Sequence, residues 1–311
     1  MVLLAHVSYV QSSGYEKQVL FTLEWGDALS QLGWRKAEPG GMGKTGPHDF
    51  TVVSNTIWVY DRVQNYIKCF SDKGELLHSI QLMCQADMEG YITSDENNNI
   101  WFHDAMGQRI WVYNDSGELQ RTITYKLNYV LGEISIINGK PVAGKLINPH
   151  LIEGKTYLGK PEYEGVLFNI DETSAYNQFR GKTTHRIYKI ADFSVSYDGE
   201  VIPPKLMVDD KIVEQVKFDE GIVKKYSIFF IREDDYGNFY LNLFPREHKE
   251  IPLYIFKYNI AMEKIAMVEL PIPNQFYEYW NYALEIDSSG NIYYMKVRDE
   301  SIQFLRWNVT P

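Results

Sequence analysis

Cysteine is scarce in this sequence. Its 311 residues hold only Cys69 and Cys84, and neither belongs to a ligand set spaced for a structural zinc site. The two are read as free thiols, with a disulfide in an oxidising compartment as the alternative. Positive charge is also in short supply. With 31 basic against 41 acidic residues the net charge is −10, which argues against general nucleic-acid binding while leaving room for a local basic patch. No apolar run is long enough to cross a bilayer as a helix. The opening Val2-Leu3-Leu4-Ala5 lacks the basic and full apolar regions of a signal peptide. A periplasmic, extracellular or lipoprotein location is therefore expected if a signal peptide was removed, and a cytoplasmic one otherwise. No stretch shows a convincing 3.6-residue apolar period, which speaks against a helical architecture.

Aromatic residues are abundant: 23 Tyr, 15 Phe and 7 Trp. Many sit beside Ile and Val, as in Ile57-Trp58-Val59-Tyr60 and Ile292-Tyr293-Tyr294. This is the residue choice of pleated, half-buried strands, where such side chains pack across neighbouring strands. Glycan or peptide recognition by surplus Tyr and Trp is the functional alternative.

A repeat runs along the chain. Shifted by 43, Ile57–Asp61 falls on Ile100–Asp104, Ile67 on Ile110, Gly74-Glu75-Leu76 on Gly117-Glu118-Leu119, and Ile80 on Ile123. Each copy reads as four strands. In the second these are Tyr91–Ser94, Ile100–His103, Arg109–Tyr113 and Leu119–Tyr125, with turns at Asp95–Asn99 and Asp115–Gly117. Ile228–Leu243 and Tyr282–Val297 repeat the strand, turn, strand pattern. The interval from Ile100 to Phe239 holds three steps of about 46 residues, so two further copies are expected. Ile134–Ile137 with Asn138-Gly139 reads as the first hairpin of copy three, and Pro141 marks an edge or bulge. Copy four is expected to start at Val166–Ile170, with His185–Ile190 as its second or third strand. The last copy lacks one strand, and Gln18–Leu23 resembles a fourth strand with no copy before it. A ring closed by that strand leaves no edge unpaired at the joint.

The expected fold is therefore all-β, a single domain over residues 1–311. It is a six-bladed β-propeller of four-stranded antiparallel blades closed by the N-terminal strand at 18–24, with five or seven blades as alternatives. A lead-in loop covers 25–45, and the blades cover about 46–85, 86–127, 128–162, 163–209, 210–273 and 274–311. Gly46-Pro47, the strand after it, Ile57–Asp61, Asn65-Tyr66-Ile67 and Phe70–Gly74 resemble a repeat of the NHL family of propellers. The resemblance implies a propeller. For activity it implies little, because propellers host binding, scaffolding and several enzyme chemistries. Propeller lyases related to that family use axial histidines with zinc, and only His48 stands at a matching position here.

Pro39–Gly46 superficially matches a phosphate loop, but Glu38 stands where the first glycine belongs and a strand follows instead of a helix, so no nucleotide is expected. No HExxH and no Ser-His-Asp or Cys-His arrangement is visible, and no catalytic residue is assigned. Residues at strand-entrance positions and in the longer loops are the candidate ligand contacts: His48, Asp49, Asp87, Glu89, Glu164, Glu278 and Trp280, with Arg246, His248 and Arg298. Asp61 and Asp104 are read as caps on the turns that follow them. Asn114-Asp115-Ser116 and Asn308-Val309-Thr310 match the glycosylation acceptor, relevant only in a eukaryotic secretory setting. The expected function is non-catalytic recognition or scaffolding of a protein, peptide or glycan on the loop-rich face, without cofactor. The alternative is a metal-dependent lyase or hydrolase with a divalent ion at the propeller axis.

Overall fold

The computed structural model describes residues 14–35, 45–83, 90–124, 130–131, 134–137, 139–143, 146–147, 178–180, 183–184, 186–191, 194–195, 201–202, 204–209, 211–218, 220–245, 252–271, 284–298 and 300–310. Strand β1 (Tyr15–Glu24) comes first and the lead-in loop follows. Next are β2 (Asp49–Val53), β3 (Thr56–Asp61), β4 (Tyr66–Phe70) and β5 (Leu76–Gln81), paired in that order. The second sheet is β6 (Gly90–Ser94), β7 (Ile100–Asp104), β8 (Arg109–Tyr113) and β9 (Leu119–Thr124). Then come β10 (Val130–Leu131), β11 (Ile134–Ile137), β12 (Lys140–Ala143) and β13 (Leu146–Ile147), with β11 paired to β12 and β10 to β13.

After these the chain forms β14 (Gln178–Arg180), β15 (Ile187–Ala191), β16 (Ser194–Val195), β17 (Val201–Ile202), β18 (Lys205–Val208) and β19 (Lys211–Lys217). Strands β14, β15, β18 and β19 make a four-stranded sheet, with β16–β17 a separate hairpin. A short helix, α1 (Glu220–Lys225), leads into β20 (Tyr226–Glu233), β21 (Phe239–Pro245), β22 (Leu253–Tyr258) and β23 (Lys264–Leu270). Finally β24 (Leu284–Ile286), β25 (Ile292–Val297) and β26 (Ser301–Val309) form a sheet whose fourth strand is β1.

All strand pairs within these sheets are antiparallel, and the first strands of several sheets lie side by side. Strand β2 lies beside β6 and β24, β6 beside β11, and β20 beside β14 and β24. Sheets arranged side by side through their first strands, with β1 sealing the last, make a β-propeller. The closing strand starts at Tyr15, three residues before the expected Gln18, and runs antiparallel to β26 down to Glu24 opposite Ser301.

Burial explains why these strands formed. The second strand of each sheet is covered on both faces by neighbouring blades, so β3 and β7 are almost wholly buried. Strands covered on both faces read as continuous apolar runs. The fourth strands β5 and β9 face solvent, and their sequences are correspondingly mixed.

Five complete four-stranded sheets are present among the described residues, and the expected count of six is not reached there. Copy three is represented by the β11–β12 hairpin, in which Pro141 pairs opposite Ile136. In copy four β15 is the second strand, which settles the register of 187–190, while Val166–Ile170 lies outside the described residues. The fourth sheet runs through Lys217, past the boundary expected at 209. Its period is disturbed because β16–β17 stands between its second and third strands.

Antiparallel pairing sends alternate loops to opposite ends of every sheet. One end, the turn face, carries the links between strands one and two and between strands three and four. Asp95, Asp234 and Asp287 each accept two backbone amides with Oδ1, while Oδ2 accepts the amide of Asn99, Asn238 or Asn291. The same Oδ2 takes a hydrogen bond from the aromatic residue six positions on: Trp101, Tyr240 or Tyr293. Each such bond contributes about 1 kcal/mol net. Asn114 and Asn259 cap their turns the same way and donate to Glu118 and Glu263. The side chain of Asn114 is thus already engaged in its turn. The opposite end, the connection face, carries the blade-to-blade links and the links between strands two and three.

Candidate functional site

The lead-in loop is fastened to the connection face of the first blade by a buried charge pair. Lys68 Nζ lies 2.9 Å from Asp61 Oδ2, and neither side chain is solvent-exposed. The same ammonium donates to the Gln64 side chain and to the Gln31 carbonyl, so its three donors are filled. Burial pushes the Lys68 pKa down against the pull of Asp61. Asp61 also accepts from Gly33 N at 2.9 Å and from Gln64 N at 3.1 Å, the latter being the cap expected of it. Asp104 caps its turn likewise, through Gly107 N at 2.8 Å. Gly33 has to be glycine, because a Cβ there would sit 2.6 Å from Val63 Cβ.

His48 and Asp49 are structural members of the joint between the first two blades. The His48 ring meets Tyr60 and Tyr91 edge-on, at centroid distances of 6.2 and 5.5 Å, and Tyr91 stacks on His103. Burial first, and then the nearby Arg62 charge, lower the His48 pKa to about 3, so the imidazole is neutral. One Asp49 oxygen accepts Phe50 N at 2.8 Å, and the other accepts Ile92 N of the second blade at 2.9 Å. Beside it, Thr51 Oγ1 donates to Ser94 Oγ, 43 positions along the chain. Both Asp49 oxygens are thus engaged by amides, and no three His, Cys, Asp or Glu side chains gather as metal ligands among the described residues.

Arg298 stands in the β25–β26 hairpin and is exposed. Its Nη2 donates to Gln303 Oε1 at 2.7 Å, and Gln303 Nε2 donates to Thr22 Oγ1 at 3.3 Å. The Arg298 carbonyl accepts from Trp25 Nε1 at 3.1 Å, and Trp25 stacks on Trp34 at 4.7 Å. Lys296, two residues before Arg298, pairs directly opposite Gln303. Strand alternation carries the signal for Lys296, the single charged residue of Ile292–Val297, yet sequence reading selected only Arg298. Asp87, Glu89, Glu164, Arg246, His248, Glu278 and Trp280 lie outside the described residues, as does Cys84. Cys69 is a buried free thiol whose pKa burial raises to about 11. No helix among the described residues is long and apolar enough to cross a membrane.

No family model matches the chain, and no curated protein matches it. Solved structures do. The chain is similar to virginiamycin B lyase from Staphylococcus aureus at 11% identity, covering 94% of this chain and 99% of that one, with a TM-score of 0.49. It is similar to a putative exported protein from Bacteroides fragilis at 10% identity, covering 97% and 98%, with a TM-score of 0.48. It is also similar to a member of the DUF4221 family from Bacteroides vulgatus at 12% identity, covering 96% and 99%, with a TM-score of 0.46. Likeness at this level leaves the propeller resting on the chain's own strand pairing.

Proposed function

We propose that the chain is a six-bladed, NHL-like propeller that recognises a protein, peptide or glycan without catalysis, on its connection face. The observation that carries this reading is the contrast between the ends of the ring. The turn face is built from tight loops whose polar groups cap one another, whereas every described blade-to-blade link lies on the other face. Irregular connections on a rigid scaffold are where binding groups concentrate. The sixth blade in this reading is the one begun by β11–β12, which sits beside β6 as β6 sits beside β2. A density map with five or seven sheets overturns the count.

Immobilised peptide and glycan arrays test the face. Arg109→Ala and Arg298→Ala, exposed on the connection face, reduce capture of the retained ligand about fivefold or more, while Glu118→Ala and Glu263→Ala on the turn face leave it unchanged. The reverse pattern overturns the face assignment. Chemical conversion of a captured ligand overturns the non-catalytic part.

A further inference from the structure

We infer that the segment 25–35 is a latch across the joint where the ring closes: it and β1 leave and rejoin the ring together, as one unit.

The segment grips both sides of the joint. On the last sheet, Trp25 N donates to the Glu300 carbonyl at 3.4 Å and Trp25 Nε1 to the Arg298 carbonyl at 3.1 Å. On the first blade, Gln64 Nε2 donates to the Gly26 carbonyl at 2.6 Å, Lys68 to the Gln31 carbonyl, and Gly33 N to Asp61 Oδ2 at 2.9 Å. Within the segment, Gly26 N donates to the Leu32 carbonyl at 3.1 Å and Gln31 N to the Ala28 carbonyl at 2.9 Å, so it is a closed body of its own. Leu32, wholly buried, shares one core cluster with Phe21 of β1, Phe50 of β2 and Phe304 of β26. Strand β1 runs into the latch without a break, since Glu24 is its last residue. Withdrawing either one removes part of the core that seats the other.

The ion pair beneath the latch makes it releasable. Lys68 and Asp61 both belong to the first blade, and backbone groups of the latch complete their hydrogen bonding. Desolvating two charges costs free energy that their pairing offsets only in good geometry. Docked, the latch imposes that cost. Lifted, it returns both charges to water together, and no orphaned charge stays buried. Strands β24, β25 and β26 keep their own ladders when β1 departs. The open state therefore lies between the closed ring and the unfolded chain, with the remaining sheets intact.

Native-state hydrogen exchange of the full chain, read amide by amide in rising urea below the unfolding transition, tests this. The amides of Gly26, Gln31 and Gly33 and the β1 amides bonded to β26 are expected to share one opening constant. It should exceed that of the β21 and β22 amides about tenfold or more. Gly33→Ala, whose Cβ would meet Val63 Cβ at 2.6 Å, raises the opening of latch and β1 by the same factor, about tenfold. Trp25→Phe deletes the indole bond to Arg298 and raises both by a common, smaller factor, which decides the matter should Gly33→Ala not fold. Asp95→Ala in the second blade leaves both within about twofold, because its turn stays folded whether the latch is open or closed. Three outcomes overturn the inference. Latch amides may open about tenfold or more oftener than β1, β1 amides may open only as often as those of β21 and β22, or the rise under a latch variant may be confined to 25–35.

Discussion

The two faces of the ring solve the same problem in opposite ways. On the turn face five loops satisfy their own polar groups locally, with an Asp or Asn capping backbone amides within four residues, and Ser71 caps a sixth, while the β14–β15 turn alone leans on Glu233 of the next sheet. On the connection face polar groups are satisfied across long sequence distances: Lys68 by Gln31, Asp61 by Gly33, Asp49 by Ile92. Local satisfaction repeats with the blade and tolerates its neighbours' changes. Distant satisfaction is particular to one joint and fails as a unit. The comparison predicts that equal chemical deletions cost more on the connection face.

The largest effect is expected from Lys68→Met. It leaves Asp61 buried without its charge partner and destabilises the protein by about 3–5 kcal/mol in urea unfolding. A loss below about 1 kcal/mol would falsify the distinction between the faces. Gly290→Ala comes next and is the hardest case on the turn face. Its backbone has φ +84, and a new Cβ would meet Tyr240 Oη at 2.5 Å, so a loss of about 2–3 kcal/mol is expected from strain and crowding together.

Acid sensitivity sharpens the comparison at an intermediate size. The His48 pKa falls from an ordinary 6.5 to about 3 on folding, so below pH 6.5 the unfolded chain binds the extra proton and stability declines as pH drops toward about 3. The slope approaches about 1.4 kcal/mol per pH unit, and His48→Gln should remove that part of it in melts taken between pH 6.5 and 4. A variant with the parent's slope would show that His48 is not buried as a neutral ring. Asp95→Ala costs about 1–2 kcal/mol, because it orphans Trp101 Nε1 and two turn amides in one blade only. Asn98→Gly is the smallest change and has the opposite sign. Asn98 holds φ 63, where Gly237 and Gly290 stand in the matching turns, and glycine there stabilises by up to about 1 kcal/mol.

Legibility follows the same division. The turns at Asp95, Asp234 and Asp287 announce themselves because their capping partners lie within six residues and recur in three copies. The closing strand was legible because the last copy is visibly one strand short. His48 and Asp49 stand at the start of a first strand, where the repeat places them, while their contacts with Tyr60, Tyr91 and Ile92 cross to other strands and leave no mark in the sequence. The pairing of Asp61 with Lys68 depends on a lead-in loop that has no counterpart in other copies, so no repeat could expose it. Copy four was misjudged in extent because β16–β17 displaces its third strand to Lys205 and its fourth to Lys211. Arg298 was singled out as a loop residue, but Lys296 hid inside an apolar run, visible only once the strand's two faces are separated.

The pairing of β1 with β26 has a consequence in time. Thr22 and Gln303, joined by a side-chain hydrogen bond, are 281 positions apart. At about 5–20 residues per second of synthesis, β1 waits roughly 15 to 60 s before its partner exists. During that wait it is a loose strand with open hydrogen-bonding edges, the kind of segment that finds wrong partners. Its composition suits the delay. Glu16, Lys17, Gln18, Thr22 and Glu24 stay exposed even in the finished ring, and only Tyr15 and Phe21 become buried. The strand that completes the fold is therefore also the one whose charged and polar side chains keep it soluble until the other end of the chain arrives.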